Sequence, residues 1–305
     1  MGTGDSDMAA PKASLTAEFI AAARAVETIR PARTRLFSDP YARAFLTHPM
    51  TRSIFRLAAS LVGPDVGNRL YDRASGVIGL MTSFVCRTRC IDDALGRGLA
   101  AGCEQVLILG AGYDCRAYRI AGIDKVSVFD IDHAAIQACK RERLRAAVDP
   151  APPHVTFVAT DFGHDDLPER LGAAGFRIGA PTFVVWEGVS QYLDADGVDR
   201  LLLTLVALCA PGSPMAFTYV DAGVFDHDER FPGVRWLLDR VQRSGEPWRF
   251  GLKPADLGAF LDARGHSLVE DSAASRLAAD YLGPIGRVGP VSDFAHIATS
   301  RIAGS

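Results

Sequence analysis

The stretch Gln105-Val106-Leu107-Ile108-Leu109-Gly110-Ala111-Gly112-Tyr113-Asp114 decides the fold. Five apolar or half-apolar residues in a row read as a strand buried on both faces, the pattern of a parallel sheet covered by helices. Gly110 and Gly112 follow at once, where the absence of a Cβ lets the chain turn sharply and lets a ligand approach the backbone. A lone G-x-G also serves as nothing more than a tight turn from strand to helix. A second element points to a ligand: about 20 residues on, a second strand ends in Phe129-Asp130-Ile131-Asp132, where a carboxylate accepts from ribose hydroxyls. Either Asp130 or Asp132 suits that role.

Dinucleotide sites share both features, so the third glycine of G-x-G-x-x-G is informative, and Cys115 stands in its place. That substitution disfavours a pyrophosphate cradle. A ligand with a sulfonium and an amino acid moiety asks instead for carboxylates near the cation and a basic group near its carboxylate, and the chain offers both.

Outward from this stretch, strands and helices alternate. Strands are expected over 125–129, 155–159, 182–186, 214–220, 266–270 and 294–299, and helices over 133–148, 198–209 and 254–263. Alternation of this kind specifies an α/β fold with a mostly parallel sheet and helices on both faces. Before it, 14–100 reads as an N-terminal helical cap, with an Ala-rich opening over 16–29, a break at Arg30-Pro31, a helix start at Ser38-Asp39-Pro40 and a long helix over 77–100. Residues 1–13 read as a disordered tail. Within the core domain, 101–305, the polar and aromatic segment 221–253 is too long for a plain connection and reads either as a substrate lid or as a helical insertion that only packs.

The composition is that of an ordinary globular protein: 305 residues, 48% hydrophobic and 23% charged, with 33 Lys and Arg against 36 Asp and Glu, a net charge of −3. No polybasic run is present, which disfavours a nucleic-acid partner. Neither a secretory signal nor a membrane-spanning run is found, so a cytoplasmic protein without a membrane role is expected. Gly2 and Ser6 match the short M-G-x-x-x-[ST] myristoylation pattern, which in a Gly- and Ser-rich tail arises readily by chance. The six cysteines, at 86, 90, 103, 115, 139 and 209, lack C-x-x-C spacing and read as reduced thiols, with no metal site. Nothing in the sequence sets the oligomeric state.

Six collinear motifs resemble the leucine carboxyl methyltransferase family, including its polyketide O-methyltransferase type and its actinobacterial relatives. They are Ala23-Arg24-Ala25 with Leu36 to Ala42, Cys86 to Arg89 with Asp92-Asp93, Leu109 to Arg119, Asp130 to Asp132 with Lys140, Thr160 to Phe162, and Trp186 to Leu193. The resemblance implies a Rossmann-like class I methyltransferase with a seven-stranded sheet and S-adenosyl-L-methionine as cofactor. It also implies that Arg87 pairs with the methionine carboxylate, assisted by Arg24; that Gly110, with Gly112, lies against the cofactor; that Asp132, beside Asp130, binds the ribose; that Asp161 and the Phe162 backbone meet the adenine; and that Glu187 sits near the cationic methionine end. The chain departs from the family pattern at Asp130, where Glu is frequent, and at Cys115, where Thr is common.

A small-molecule carboxylate, such as that of a polyketide-type natural product, is the expected acceptor, in line with the resemblance and because a carboxylate is ionised at neutral pH and needs no general base. A phenol or alcohol comes next, then a protein C-terminus. A hydroxyl acceptor needs a base, for which His227, His266 and Tyr192 are the candidates. Arg116, Arg119, Tyr192 and Tyr219 are candidates to anchor an acceptor. From other classes, a nicotinamide-dependent oxidoreductase and a non-catalytic cofactor-binding protein remain as alternatives.

Overall fold

The computed structural model describes residues 15–162, 165–226 and 228–304. The tail and the Gly2 motif lie outside them, as does His227. Among the described residues seven strands form one sheet: β1 (Gln105–Leu109), β2 (Ser127–Asp132), β3 (Val155–Ala159), β4 (Thr182–Trp186), β5 (Pro214–Val220), β6 (His266–Ala273) and β7 (Ala295–Ile302). Their order is β3-β2-β1-β4-β5-β7-β6, with β7 antiparallel to both its neighbours and the other pairs parallel. The order reverses direction between β1 and β4, and a crevice opens beyond the carboxyl ends of strands at such a point. Register fixes what stands there. Leu109 pairs with Ile131, so Gly110 and Asp132 emerge side by side, and Ile108 pairs with Val185, which sets Glu187 just beyond β4 on the other flank.

Helices α1 (Leu15–Thr28), α2 (Pro49–Leu57), α3 (Gly63–Ser75) and α4 (Leu80–Ala100) precede the sheet. Their apolar side chains, among them Val26, Phe55, Met81 and Leu95, share one continuous core with Val106, Ile108, Phe183 and Val185. The packing of α4 on the sheet is close: a Cβ at Gly98 would stand 2.4 Å from the Phe183 ring. After β1 come the single turn α5 (Arg116–Arg119), then α6 (Ala134–Leu144), α7 (Leu167–Ala173), α8 (Ala195–Leu208), α9 (Val234–Arg243), α10 (Leu257–Asp262) and α11 (Ala274–Tyr281). On the opposite face Leu171 of α7, Leu201, Leu202 and Leu205 of α8 and Leu261 of α10 cover Leu107, Val184 and Phe217. Each such buried leucine contributes about 1.5–3 kcal/mol. Local chemistry starts these helices where it should: the Asp194 carboxylate accepts from Gly197 N at 2.7 Å and the Asp166 carboxylate from Glu169 N at 3.0 Å.

Three local expectations shift. Ser38-Asp39-Pro40 opens only a 3-10 turn, Ala42–Phe45, because Pro49 begins α2 and holds the preceding His48 extended. The strand expected at 125–129 runs Ser127–Asp132, after a 3-10 turn at Ile123–Lys125. The long helix begins at Leu80, behind Gly79 at φ +85°, where a side chain would strike the Val291 backbone at 2.6 Å. Segment 221–253 contains α9. It leaves and rejoins the sheet at one place, since Asp221 bridges to Leu252 and Leu252 N donates to Val220 O at 3.0 Å. Among the described residues no helix is long and apolar enough to cross a membrane.

Candidate active site

Two adjoining cavities occupy the crevice. The larger, of about 340 Å³, lies over the ends of β1, β2 and β4 and is lined by Arg24, Arg87, Gly110, Gly112, Asp132, Phe162, Glu187 and Tyr192, with Glu246 at one side. The smaller, of about 100 Å³, lies between α1, α4 and α9, and Phe19, Leu80, Phe84, Leu237, Val241, Trp248 and Phe294 make it mostly apolar. Thr16, Ile20, Arg87 and Gly188 belong to both.

The turn after β1 is held from below by Asp132, whose Oδ2 accepts from Gly112 N at 2.6 Å and whose Oδ1 accepts from His133 N at 2.7 Å. Burial pushes the Asp132 carboxyl upward, and those two amide donors oppose the shift. Gly110 (φ +60°) and Gly112 (φ +45°) both need the left-handed region, and at Gly110 a side chain would also meet Val189 at 2.3 Å. Their freedom is thus required by the turn and by packing. Gly188 differs: at φ +71° it lines both cavities, and a Cβ there would meet no atom of the described residues within 4 Å.

Charges beneath the larger cavity form one network. Glu187 accepts from Arg87 Nε and from Arg116 Nη1, each at 2.6 Å. Burial alone would raise the Glu187 carboxyl, but Arg116 and Arg87 outweigh it and hold it at about 2. Arg116 also pairs with Asp114 and, at 2.8 Å, with Asp92, which in turn takes Arg119 at 2.6 Å. Arg24 bonds Asp39 at 2.8 Å and donates to the Tyr113 carbonyl, tying α1 to the glycine turn. Arg87 Nη2 is buried and has no hydrogen-bond partner among the described residues, and the same holds for Trp248 Nε1 in the wall of the smaller cavity. Such an atom costs free energy unless a ligand completes it.

Most of the sequence candidates converge here. Arg24, Arg87, Gly110, Gly112, Asp132, Phe162, Glu187 and Tyr192 all face the larger cavity. Others have their polar groups committed elsewhere in the fold. Asp130 is fully buried and ion-paired with Lys140, so its carboxylate is committed to the core. Asp161 lies beside the cavity, its amide donating to Asp165 at 2.8 Å. Arg116 and Arg119 are absorbed by the ion pairs just described. Tyr219 contributes to the smaller cavity, but its hydroxyl donates to Asp271 at 2.9 Å and its ring stacks on His296 and packs beside Phe217, which places the side chain on the opposite sheet face from Thr218 and Val220. His266 is buried, with Nε2 within 3.0 Å of the Leu202 carbonyl, and burial lowers its pKa. The residues that sequence reading missed are on the apolar side: Phe84, Leu237, Arg240, Val241 and Trp248. Their available signal was helical spacing, since Leu237, Arg240, Val241 and Ser244 lie on one helical face.

The family model for leucine carboxyl methyltransferase matches residues 17–206. Among curated relatives, an S-adenosyl-L-methionine-dependent methyltransferase of Mycobacterium avium (strain 104) is 33% identical over 264 residues, covering 84% of this chain and 81% of its own. One from Frankia alni is 34% identical over 250 residues, covering 82% and 81%. In fold the chain is similar to a solved methyltransferase structure from Thermobifida fusca YX (TM-score 0.58, 17% identity, 92% and 97% covered). It is also similar to a DUF574 family protein from Streptomyces avermitilis (TM-score 0.55, 13% identity, 92% and 96% covered). The chain therefore belongs to the leucine carboxyl methyltransferase family and is a methyltransferase built on a Rossmann-like α/β core.

Proposed function

We propose that this methyltransferase draws its methyl group from S-adenosylmethionine held in the larger cavity and forms the methyl ester of a small carboxylic acid. The observation that carries the reading is the unpartnered, buried Arg87 Nη2 at the junction of a charged cavity and an apolar one. The residues fit the cofactor. Asp132 sits where ribose hydroxyls would donate, Phe162 offers an apolar wall to an adenine, Arg87 and Arg24 offer cations to a carboxylate, and Gly188 leaves open the space a side chain would fill. The relatives named for S-adenosylmethionine support the same donor.

Bound there, S-adenosylmethionine would supply an electrophilic methyl carbon on a positively charged sulfur, with Asp132, Phe162, Arg87 and Arg24 as the residues that would hold it. The chain's own work is positioning. Its ion pairs lock Glu187, Arg87 and Arg116 in place before any ligand arrives, which lowers the entropic cost of aligning the reactants. The apolar smaller cavity excludes water, and the approach of opposite charges that neutralise one another is favoured in such a medium. Segment 221–253, through α9, would serve as the cover over the acceptor.

A carboxylate acceptor agrees with the side chains available. No histidine lines either cavity among the described residues, and Tyr192 is pushed up to about 12 by burial, so at neutral pH it keeps its proton. Labelled product made with a methyl-labelled donor distinguishes the outcomes. An ester releases volatile labelled methanol in mild alkali; label that survives alkali would mean an ether and a hydroxyl acceptor.

A further inference from the structure

Arg240 is unlike the other arginines of the site. Arg24, Arg87 and Arg116 each hold a carboxylate, whereas Arg240 forms no ion pair among the described residues. Its Nη1 donates to the Ala74 carbonyl at 2.7 Å, and its guanidinium carbon lies 5.7 Å from the centre of the Phe19 ring and 5.1 Å from that of Trp236. Burial lowers its pKa with no acidic neighbour to offset the shift. The residue lies on α9 in the wall of the smaller cavity, beside Leu237, Val241 and Trp248. A guanidinium carries five N–H donors, and at Arg240 one is occupied, so a fork remains for an anion.

We propose that the smaller cavity is the acceptor site and that Arg240 is its anion-recognising residue, selecting a compact acid with an apolar body. The size follows from the volume: an apolar cavity of roughly 150 Å³ takes a benzene ring, and this one of about 100 Å³ is smaller, so it holds a short branched chain outright and a single ring only where the ring reaches into the opening to the larger cavity at Thr16, Ile20 and Gly188. A polycyclic skeleton does not fit. Charge separates the two ligands. Glu246, which accepts from Thr16 Oγ1 at 3.2 Å, lines the larger cavity, where a cationic sulfur is placed, while the unpaired cation Arg240 lines the smaller. The proposal rests on the preceding reading only in taking this ligand to be the methyl acceptor.

Benzoate and its neutral counterpart benzyl alcohol are the probes, titrated against the fluorescence of Trp248, with a Trp248→Phe control to assign the signal. S-adenosylhomocysteine binding is followed separately by calorimetry. Benzoate is expected to bind saturably and about tenfold or more tighter than benzyl alcohol. Arg240→Met should weaken benzoate by about 10- to 100-fold, the loss of one charge-assisted hydrogen bond, and leave benzyl alcohol nearly unchanged. Leu237→Phe, which narrows the apolar part of the cavity, keeps Arg240 and adds no tryptophan to the fluorescence, should weaken both probes and spare S-adenosylhomocysteine. Equal affinity for the two probes, a charge preference that survives Arg240→Met, or no saturable response to benzoate would each overturn the proposal. The two readings fail separately. Binding of S-adenosylhomocysteine without benzoate removes the anion site alone, and an Arg240-dependent benzoate site in a chain that ignores S-adenosylhomocysteine removes the cofactor reading alone.

Discussion

The larger cavity is walled by main-chain turns and ion pairs and the smaller by apolar side chains, although Thr16, Ile20, Arg87 and Gly188 serve both. Residues around the first are placed by strand register: Gly110 beside Asp132, and Glu187 just past the end of β4. Most residues around the second come from α1, α3, α4 and α9, elements far apart in the chain that meet by packing, over a floor of Thr218 and Val220 of β5 and Ala295 of β7. A site placed by register is fixed to the precision of the sheet. One assembled by helix packing can change its lining by one side chain at a time and keep the fold, which is how a family can hold its donor site and vary its acceptor.

This contrast breaks most visibly at Glu187. Glu187→Gln leaves Arg87 and Arg116 with a neutral partner in a buried setting, and we expect a loss of about 3 kcal/mol in folding stability at neutral pH, read from urea denaturation. The pH dependence has a definite sign. Folding holds the Glu187 carboxyl near 2 against an ordinary 4.5, so its stabilisation is complete above 4.5 and is lost as pH falls towards 2. The gap between wild type and variant should close across that window. A gap that stays constant with pH would show that the ion pairs are not what orders this wall.

Arg87→Met comes next in size. Arg116 still holds Glu187, so the fold should survive by circular dichroism, while affinity for S-adenosylhomocysteine drops by about 1.5–3 kcal/mol in calorimetry. Unchanged affinity would assign the unpartnered Nη2 to the acceptor alone. Gly188→Ala tests the residue common to both regions. At φ +71° an alanine is strained by about 1–2 kcal/mol, and its methyl stands in space that no atom of the described residues fills. Affinity for donor and acceptor should fall together, with a lower melting temperature; a change in one alone would mean that the cavities are joined elsewhere.

The same contrast explains what the sequence made legible. Gly110, Gly112, Asp132 and Glu187 were readable because each follows directly on an apolar strand, and a strand end in a parallel sheet is a place as well as a pattern. Asp130 misled for the same reason: two residues from Asp132, it points to the same sheet face, yet pairing with Lys140 across ten residues is invisible to strand alternation. Arg116 and Arg119 looked like anchors because their partner Asp92 lies on α4, which sequence spacing does not bring near. On the apolar side, Leu237, Arg240 and Val241 showed helical spacing within 221–253, but no local rule says which face of an isolated helix meets a ligand.

Tyr192→Phe carries the smallest expected effect and sharpens the contrast furthest, because it asks whether the larger cavity does any proton chemistry. Tyr192 lines that cavity together with Glu187. Burial is the main cause of its raised pKa, about 12, so only about one molecule in 10⁵ is ionised at pH 7. A tyrosine so placed can orient an acceptor but is poorly matched to removing a proton from one. With a carboxylate acceptor, losing the hydroxyl should cost roughly 0.5–1.5 kcal/mol, expressed in KM for the acceptor, with kcat near the wild-type value and no new inflection in its pH profile. Were Tyr192 a general base for a hydroxyl acceptor, kcat would instead fall by roughly 10²–10⁴-fold and the alkaline limb of the profile would disappear with it. The variant separates the two because the phenyl ring still fills the same wall, so any large loss is attributable to the proton and not to the shape of the cavity.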